Sequence, residues 1–178
     1  MKTIKQWQFL LLTCLVLVAC IDVNDFGVYW KKGTVDPLLN GSWKADKNPE
    51  ECIAYKPNGE SYILSMGDED HVARTLVIGT HHFLMMKKKG EKGGQLIKYS
   101  ADKNHFTFYQ LNKDKKKDFL AHYNTKNIVF GKDDVVVTIN VLNPATISML
   151  KDISAQEDYW QVLSVYKHSN CTPQHKAT

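Results

Sequence analysis

Histidine, cysteine and acidic side chains are the residues of this chain whose types could bind a metal ion. His81 and His82 are adjacent in a predicted strand, so their side chains point to opposite faces and are poorly placed to share one ion. The sequence contains no His-x-x-x-His, Cys-x-x-Cys or His-x-Glu spacing, and the acidic run at 68–70 lacks the spacing of a calcium loop. We therefore predict no metal site, with the histidines at surface or half-buried positions.

Motifs for catalysis and for nucleic-acid binding are also missing from the sequence. There is no Gly-x-Ser-x-Gly nucleophile turn, no phosphate-binding glycine loop and no dinucleotide fingerprint. The formal net charge is only +4, and Arg74 is the single arginine that could make bidentate contacts with phosphates or base edges. The sequence predicts no catalytic residue, no cofactor and no nucleic-acid partner. A hydrolase whose catalytic side chains meet only in the fold is the alternative.

The first twenty residues follow the order of an export signal. Residues 1–6 carry Lys2 and Lys5 without an acidic residue, and residues 7–18 are almost wholly apolar. That run is shorter than the roughly 20 residues needed to span a bilayer, and a charged start before a short apolar run is typical of a signal peptide. We therefore predict that residues 1–19 are a signal peptide.

The end of this run, Leu17-Val18-Ala19-Cys20, resembles the lipobox of bacterial lipoproteins. The resemblance implies that the Cys20 thiol receives a diacylglyceryl group, that the bond between Ala19 and Cys20 is cut, and that an acyl chain such as palmitate is added to the new amino group. It further implies a lipid anchor in the bacterial cell envelope, and Ile21 in place of Asp favours the outer membrane of a Gram-negative cell. The alternatives are a secretory signal cut nearby, with Cys20 free or disulfide-bonded, and an uncleaved anchor.

Cysteine usage agrees with export to an oxidising compartment. If Cys14 leaves with the signal peptide and Cys20 carries lipid, Cys52 and Cys171 remain as one pair near the two ends of the later chain. We predict a disulfide between them, as is common in exported proteins. The alternative is two free thiols.

Length and composition predict one folded domain after the signal peptide. The chain has 178 residues, of which 43% are hydrophobic and 24% charged, and these values are typical of a globular protein. We assign residues 20–36 to the lipidated N-terminus and a tether, part of which could pack on the domain through Phe26, Tyr29 and Trp30. Residues 37–170 are assigned to a single β-rich domain, and 171–178 to a polar C-terminal tail.

Short strands separated by turns account for most of the predicted domain. Residues 135–142 show the clearest alternation, because their β-branched side chains recur with a period of two. Turn signals stand at Pro57-Asn58-Gly59 and Gly79-Thr80. About ten strands at such spacing imply a closed or layered antiparallel sheet. The predicted fold class is all-β, mostly antiparallel, as a small β-barrel or a sandwich.

One helix interrupts the predicted strands. Asn143 is a favoured N-cap, and apolar residues recur after it at spacings of three, which predicts a short helix over Pro144–Ser154 before the last strand. Residues 118–123, in contrast, are predicted as a strand.

The first strand of the domain contains Gly41-Ser42-Trp43, which resembles the Gly-x-Trp motif of lipocalin-like barrels. The resemblance implies a meander of strands in which Gly41 permits a close approach and Trp43 plugs the base of the barrel. Lipocalins place an arginine late in the chain over that tryptophan, whereas the last strand here offers Lys167. The alternative is a β-sandwich with Trp43 as an ordinary core residue.

Together these patterns predict a lipid-anchored envelope protein with a non-enzymatic binding role, and they leave two mechanisms open. The barrel could enclose a small hydrophobic ligand, with Phe106, Phe108, Val137 and Ile139 lining the cavity. Alternatively, the interior is filled and the loops bind another envelope protein, as an inhibitor or assembly factor would. Lysine runs at 87–89 and 113–117 could form a basic loop surface, or simply keep the loops solvated.

Overall fold

The structure is a computed structural model that describes residues 21–66, 69–123, 128–130 and 137–173. The predicted signal peptide and Cys20 lie outside the described residues. The strands are β1 (Ile21–Val23), β2 (Gly41–Ala45), β3 (Cys52–Asn58), β4 (Ser61–Met66), β5 (Glu69–Ile78), β6 (His81–Lys88), β7 (Gly94–Ala101), β8 (His105–Leu111), β9 (Ile128–Phe130), β10 (Val137–Ile139) and β11 (Trp160–Ser169). The helices are α1 (Val28–Lys32), α2 (Lys116–Tyr123) and α3 (Pro144–Ser154), and a 3-10 turn covers Pro37–Leu39.

Eight of the strands close into an antiparallel barrel. Strands β2 to β8 pair in chain order, and β11 pairs with both β8 and β2 to complete the ring. Closure gives each of these strands a neighbour on both sides, which protects backbone groups that an open edge would expose. The predicted all-β, mostly antiparallel fold is confirmed as a barrel, and the sandwich alternative does not apply.

Two-residue turns join β3 to β4 and β5 to β6. Gly59 and Gly79 occupy the first position of these turns with φ of 61° and 64°. Glycine adopts this left-handed conformation without the steric clash that a Cβ atom would cause. Both glycines lie in the turn signals of the sequence, and those predictions are confirmed.

The N-terminal segment 21–36, predicted as a tether of which part could pack on the domain, packs on the barrel. Strand β1 pairs antiparallel with the start of β7 and parallel with β10. Ile21 and Val23 are buried, Phe26 is fully buried, and Thr34 bridges to Thr75 of β5. Where the segment packs could not be read from the sequence, because β1 finds its partners on strands far along the chain.

A second apolar cluster covers the outside of the barrel. Leu150 and Ile153 of α3 pack there with Phe83 and Met85, the side chains of β6 that alternate with its interior residues. Strands β1 and β10 and the aromatic rings near α1 and α2 complete this outer cluster. The domain therefore has two cores, one inside the barrel and one between the barrel and the elements laid over it.

The helices include one predicted element and one correction. Helix α3 spans the predicted residues, and the Asn143 side chain accepts a hydrogen bond from the Thr146 N–H at 3.0 Å. Residues 118–123, predicted as a strand, belong instead to α2, where Phe119 and Tyr123 are one turn apart with ring centroids at 5.1 Å. Tertiary packing of Phe119 into the outer cluster outweighs the local pattern. Within the described ranges no helix is long and apolar enough to cross a membrane.

A disulfide joins Cys52 to Cys171, as predicted, with a Cα–Cα distance of 6.0 Å and a sequence separation of 119 residues. Cys52 begins β3, and Cys171 follows the end of β11. The bridge therefore fastens the segment after the last barrel strand to a strand near the start of the barrel.

Candidate functional site

Trp43 of β2 lies in the barrel interior, and the end of the barrel at which β2 begins is called the base. Its side chain is fully buried, and its indole N–H donates a hydrogen bond of 2.9 Å to the carbonyl of Leu39 in the 3-10 turn. The edges of the Phe106 and His168 rings meet it, each with a centroid distance of 5.0 Å. Trp43 thus joins the turn that covers the base to the aromatic interior.

Gly41 is required by the same arrangement. Its φ of 119° is a conformation that L side chains rarely adopt, and a Cβ atom there would lie 2.8 Å from Nε2 of His168. His168 therefore occupies the place beside Trp43 for which the lipocalin resemblance implied an arginine. Lys167 points elsewhere and forms an ion pair of 2.9 Å with Asp46. The lipocalin pattern calls for a cation in this position, so it gives no signal for His168.

Aromatic rings occupy the interior of the barrel. The Phe106 ring lies within 4.5–5.8 Å, centroid to centroid, of the rings of Trp43, Tyr55, Phe108 and Tyr166. These rings come from β2, β3, β8 and β11, so they meet across the barrel as well as along neighbouring strands. All five are buried. Offset and edge-to-face aromatic contacts of this kind are typical of a packed core.

The four residues predicted to line a ligand cavity fall into two separate clusters. Phe106 and Phe108 lie in the interior of the barrel, whereas Val137 and Ile139 lie in the outer cluster. The separation arises because β10 pairs with β1, outside the ring, rather than with a barrel strand. The structure does not bring the four side chains together around one space.

A polar cluster fastens the 3-10 turn over the base. The Asp36 carboxylate accepts hydrogen bonds from the Leu38 N–H at 3.0 Å and from the Tyr99 hydroxyl at 2.8 Å. The Tyr62 hydroxyl donates to the backbone carbonyl of Asp36. Burial, together with the charge of Asp36, raises the pKa of Tyr99 above its usual range and that of Tyr62 to about 12. Both phenols therefore stay protonated and act as donors.

Two histidines lie near carboxylates but beyond hydrogen-bonding distance. Nδ1 of His82 is 3.8 Å from Oδ2 of Asp36, and Nδ1 of His105 is 3.8 Å from Oδ1 of Asp102. A general base and the acid that orients it normally lie about 2.6–3.2 Å apart. Among the described residues, no three His, Cys, Asp or Glu side chains come together as metal ligands. These positions give the hydrolase alternative no assembled pair.

A groove of about 500 Å³ runs beside β1. Asp22 and Asn24 of the N-terminal segment line one side, and Glu91, Lys92 and Gln95 are among the residues on the others. Burial raises the pKa of Asp22. The groove is wide and polar, unlike the enclosed apolar cavity that a hydrophobic ligand would need.

The two lysine runs lie at the end of the barrel opposite the base. Strands β6 and β8 both run antiparallel to β7, so both end at the same rim. Residues 87–89 close β6, and residues 113–117 follow β8. In the second run, Lys115 forms an ion pair with Asp158, which raises the pKa of its amino group. The topology therefore places both lysine runs at one rim of the barrel.

Comparisons with protein-family models, with curated proteins and with solved structures found no match to this chain.

Proposed function

We propose that this chain is a lipid-anchored protein of the bacterial cell envelope, and that its filled β-barrel has a non-enzymatic role in binding another envelope protein. The anchor is assigned to Cys20 on the Leu17-Val18-Ala19-Cys20 motif, with residues 1–19 removed. Acyl chains bind membranes through about 0.8 kcal/mol for each buried CH₂, and more than one chain gives stable attachment. Ile21 after the cysteine favours the outer membrane if the source is Gram-negative.

The packing of Phe106 against four other rings is the observation that favours a protein partner over an enclosed ligand. A cavity for a hydrophobic ligand needs space among the interior side chains, and these rings meet one another across the barrel instead. A barrel filled in this way can still bind through its rim and loops. We therefore favour a protein partner over an enclosed ligand.

Metabolic labelling with an alkyne fatty acid tests the anchor. We expect label on the parent protein and none on Cys20→Ala, because only that thiol lies in the lipobox. Cys14→Ala is the matched control, since it removes a cysteine of the predicted signal peptide and should leave the labelling unchanged. Label that persists on Cys20→Ala would remove the lipoprotein assignment.

Mass spectrometry of small molecules extracted from the purified protein tests the filled interior. We expect the covalently attached acyl chains and no stoichiometric non-covalent lipid. A hydrophobic molecule released in equal amount with the protein would instead support the enclosed-ligand mechanism. Fractionation of the cells checks the location separately, because the parent should follow membrane markers and Cys20→Ala should not.

A further inference from the structure

Helix α1 is fixed to the barrel immediately after β1. Phe26, just before the helix, is fully buried, and its ring stacks on that of Trp30 at 5.7 Å. Arg74 of β5 donates hydrogen bonds to the carbonyls of Trp30 at 3.2 Å and Gly33 at 3.4 Å. A cation at this position satisfies carbonyls that the end of a helix leaves unpaired. These contacts with the barrel therefore fix which face of α1 points to solvent.

The outward face of α1 is basic with one apolar residue. Val28, Lys31 and Lys32 are spaced by three and four residues, so they lie on the same side of the helix, and all three are exposed. Val28 is 62% exposed. Lys87, from the end of β6, adds a fourth side chain, because its ammonium lies 4.3 Å from the centre of the Trp30 ring. We call these four residues the basic face.

The aromatic residues beneath the basic face position its lysines. The Lys32 ammonium lies 4.7 Å from the centre of the Tyr29 ring, and both Tyr29 and Trp30 are half-buried. Such cation–π contacts keep the ammonium groups near the surface of the ring. The Lys87 ammonium also donates a hydrogen bond of 2.6 Å to the Glu91 carbonyl. The Glu60 carboxylate pairs with Arg74 at 3.2 Å.

We propose that the basic face lies on the anionic phospholipid headgroups of the same bilayer that holds the acyl chains of Cys20. This inference rests on the lipid anchor of the proposed function. Val28 follows Cys20 by eight residues, so the two lie at most roughly 26–29 Å apart, and the strand β1 between them is bound to the barrel. A bilayer beside Cys20 is thus within reach of a surface that is cationic and carries an exposed valine, as interfacial segments do.

Docking would hold the barrel in one orientation, with β5 and α1 toward the membrane. Strand β11 lies four strands from β5 in either direction around the ring, so it would face away from the bilayer. Val162 of β11 is 57% exposed and provides a matched position on that far side.

A fluorescent probe tests this orientation in the full-length lipidated protein, reconstituted in nanodiscs. We would place an environment-sensitive dye on Val28→Cys or, as the control, on Val162→Cys, with the Cys52–Cys171 disulfide left intact. In discs that contain phosphatidylglycerol, dye at position 28 should shift to the blue and be quenched by headgroup spin labels. Dye at position 162 should stay in water. In discs of phosphatidylcholine alone, both positions should report water.

Charge removal tests the electrostatic part of the proposal. A lysine near an anionic surface contributes about fivefold to binding, so Lys31→Gln with Lys32→Gln should lower the ratio of docked to undocked probe roughly 25-fold. The control pair Lys56→Gln with Lys103→Gln, exposed toward the base of the barrel, should leave the ratio unchanged.

Three outcomes would overturn the proposal. In the first, the protein is anchored in the disc but the dye at position 28 stays in water in both lipid compositions. The basic face then serves another partner. Equal quenching in neutral and anionic discs shows that charge does not direct the contact. A protein that fails to enter discs, with no acyl mass on Cys20, refutes the lipid anchor and the docking together.

Discussion

Replacing Phe106 by alanine is the most direct test of the packed barrel interior. The side chain is 1% exposed, and its ring meets four other aromatic rings from four strands. Alanine would remove the ring from the point at which those contacts converge. We expect the fold to persist, because the outer cluster and the disulfide are untouched, and we expect the free energy of unfolding to fall.

The size of this loss follows from two contributions. Burial of a phenylalanine side chain is worth about 1.5–3 kcal/mol, and the unfilled cavity adds a further cost of about 24 cal/mol per Å³. Rigid neighbouring rings collapse poorly into the space, so we expect a total in the upper half of the usual range, about 4–5 kcal/mol. Phe106→Leu keeps most of the apolar volume and should cost only about 1–1.5 kcal/mol.

Equilibrium unfolding in urea, followed by circular dichroism on the purified full-length protein in detergent, measures these differences. Val162→Ala is the control, because its exposed side chain should change stability by no more than about 0.5 kcal/mol. A loss below about 1 kcal/mol for Phe106→Ala, at an unchanged dependence on urea, would refute the reasoning. It would mean that the ring already faces an open space, as the enclosed-ligand mechanism requires.

Three further predictions concern the bridge, the outer helix and the base. In the double variant Cys52→Ser with Cys171→Ser, the free energy of unfolding should fall by roughly 5 kcal/mol, because the bridge closes a loop with a sequence separation of 119 residues. A calorimetric melting temperature equal to that of the parent would contradict this. Trp160→Phe removes the 3.0 Å hydrogen bond from the indole N–H to the Ile153 carbonyl and should cost about 1–1.5 kcal/mol in urea; an unchanged midpoint would argue against it. The raised pKa of Tyr62, about 12 in the folded protein against 10.0 for the free side chain, stabilises the fold fully below pH 10 and progressively less up to pH 12. Tyr62→Phe should therefore weaken the alkaline loss of stability, and identical pH profiles for variant and parent would exclude this cause.

Local signals in the sequence were sufficient for turns, caps and barrel strands. Gly79 lies at the turn that its dipeptide indicates, and Asn143 caps the helix that its neighbours indicate. These predictions hold because the physical cause, a left-handed φ or an unpaired N–H group, acts within a few residues. The disulfide was also predictable, since it followed from counting the cysteines that remained.

Features that depend on distant partners could not be predicted in this way. Residues 118–123 have an apolar pattern short enough for either a strand or a helix, and the choice is made by contacts of Phe119 with the outer cluster. Val137 and Ile139 show strand alternation, but the pattern does not tell which strand they pair with or which core they join. His168 could not be predicted either, because its role depends on the contact of its ring with Trp43, which lies far away in the sequence.

The parallel pairing of β1 with β10 imposes an order of events in time. Asn24 hydrogen-bonds to Asn140 across a separation of 116 residues, so β1 can pair with β10 only after most of the polypeptide has been made. Contacts between such remote stretches form late because the loop between them must close first. If Cys20 carries the proposed lipid and receives it before β10 is made, β1 is then still without its parallel neighbour.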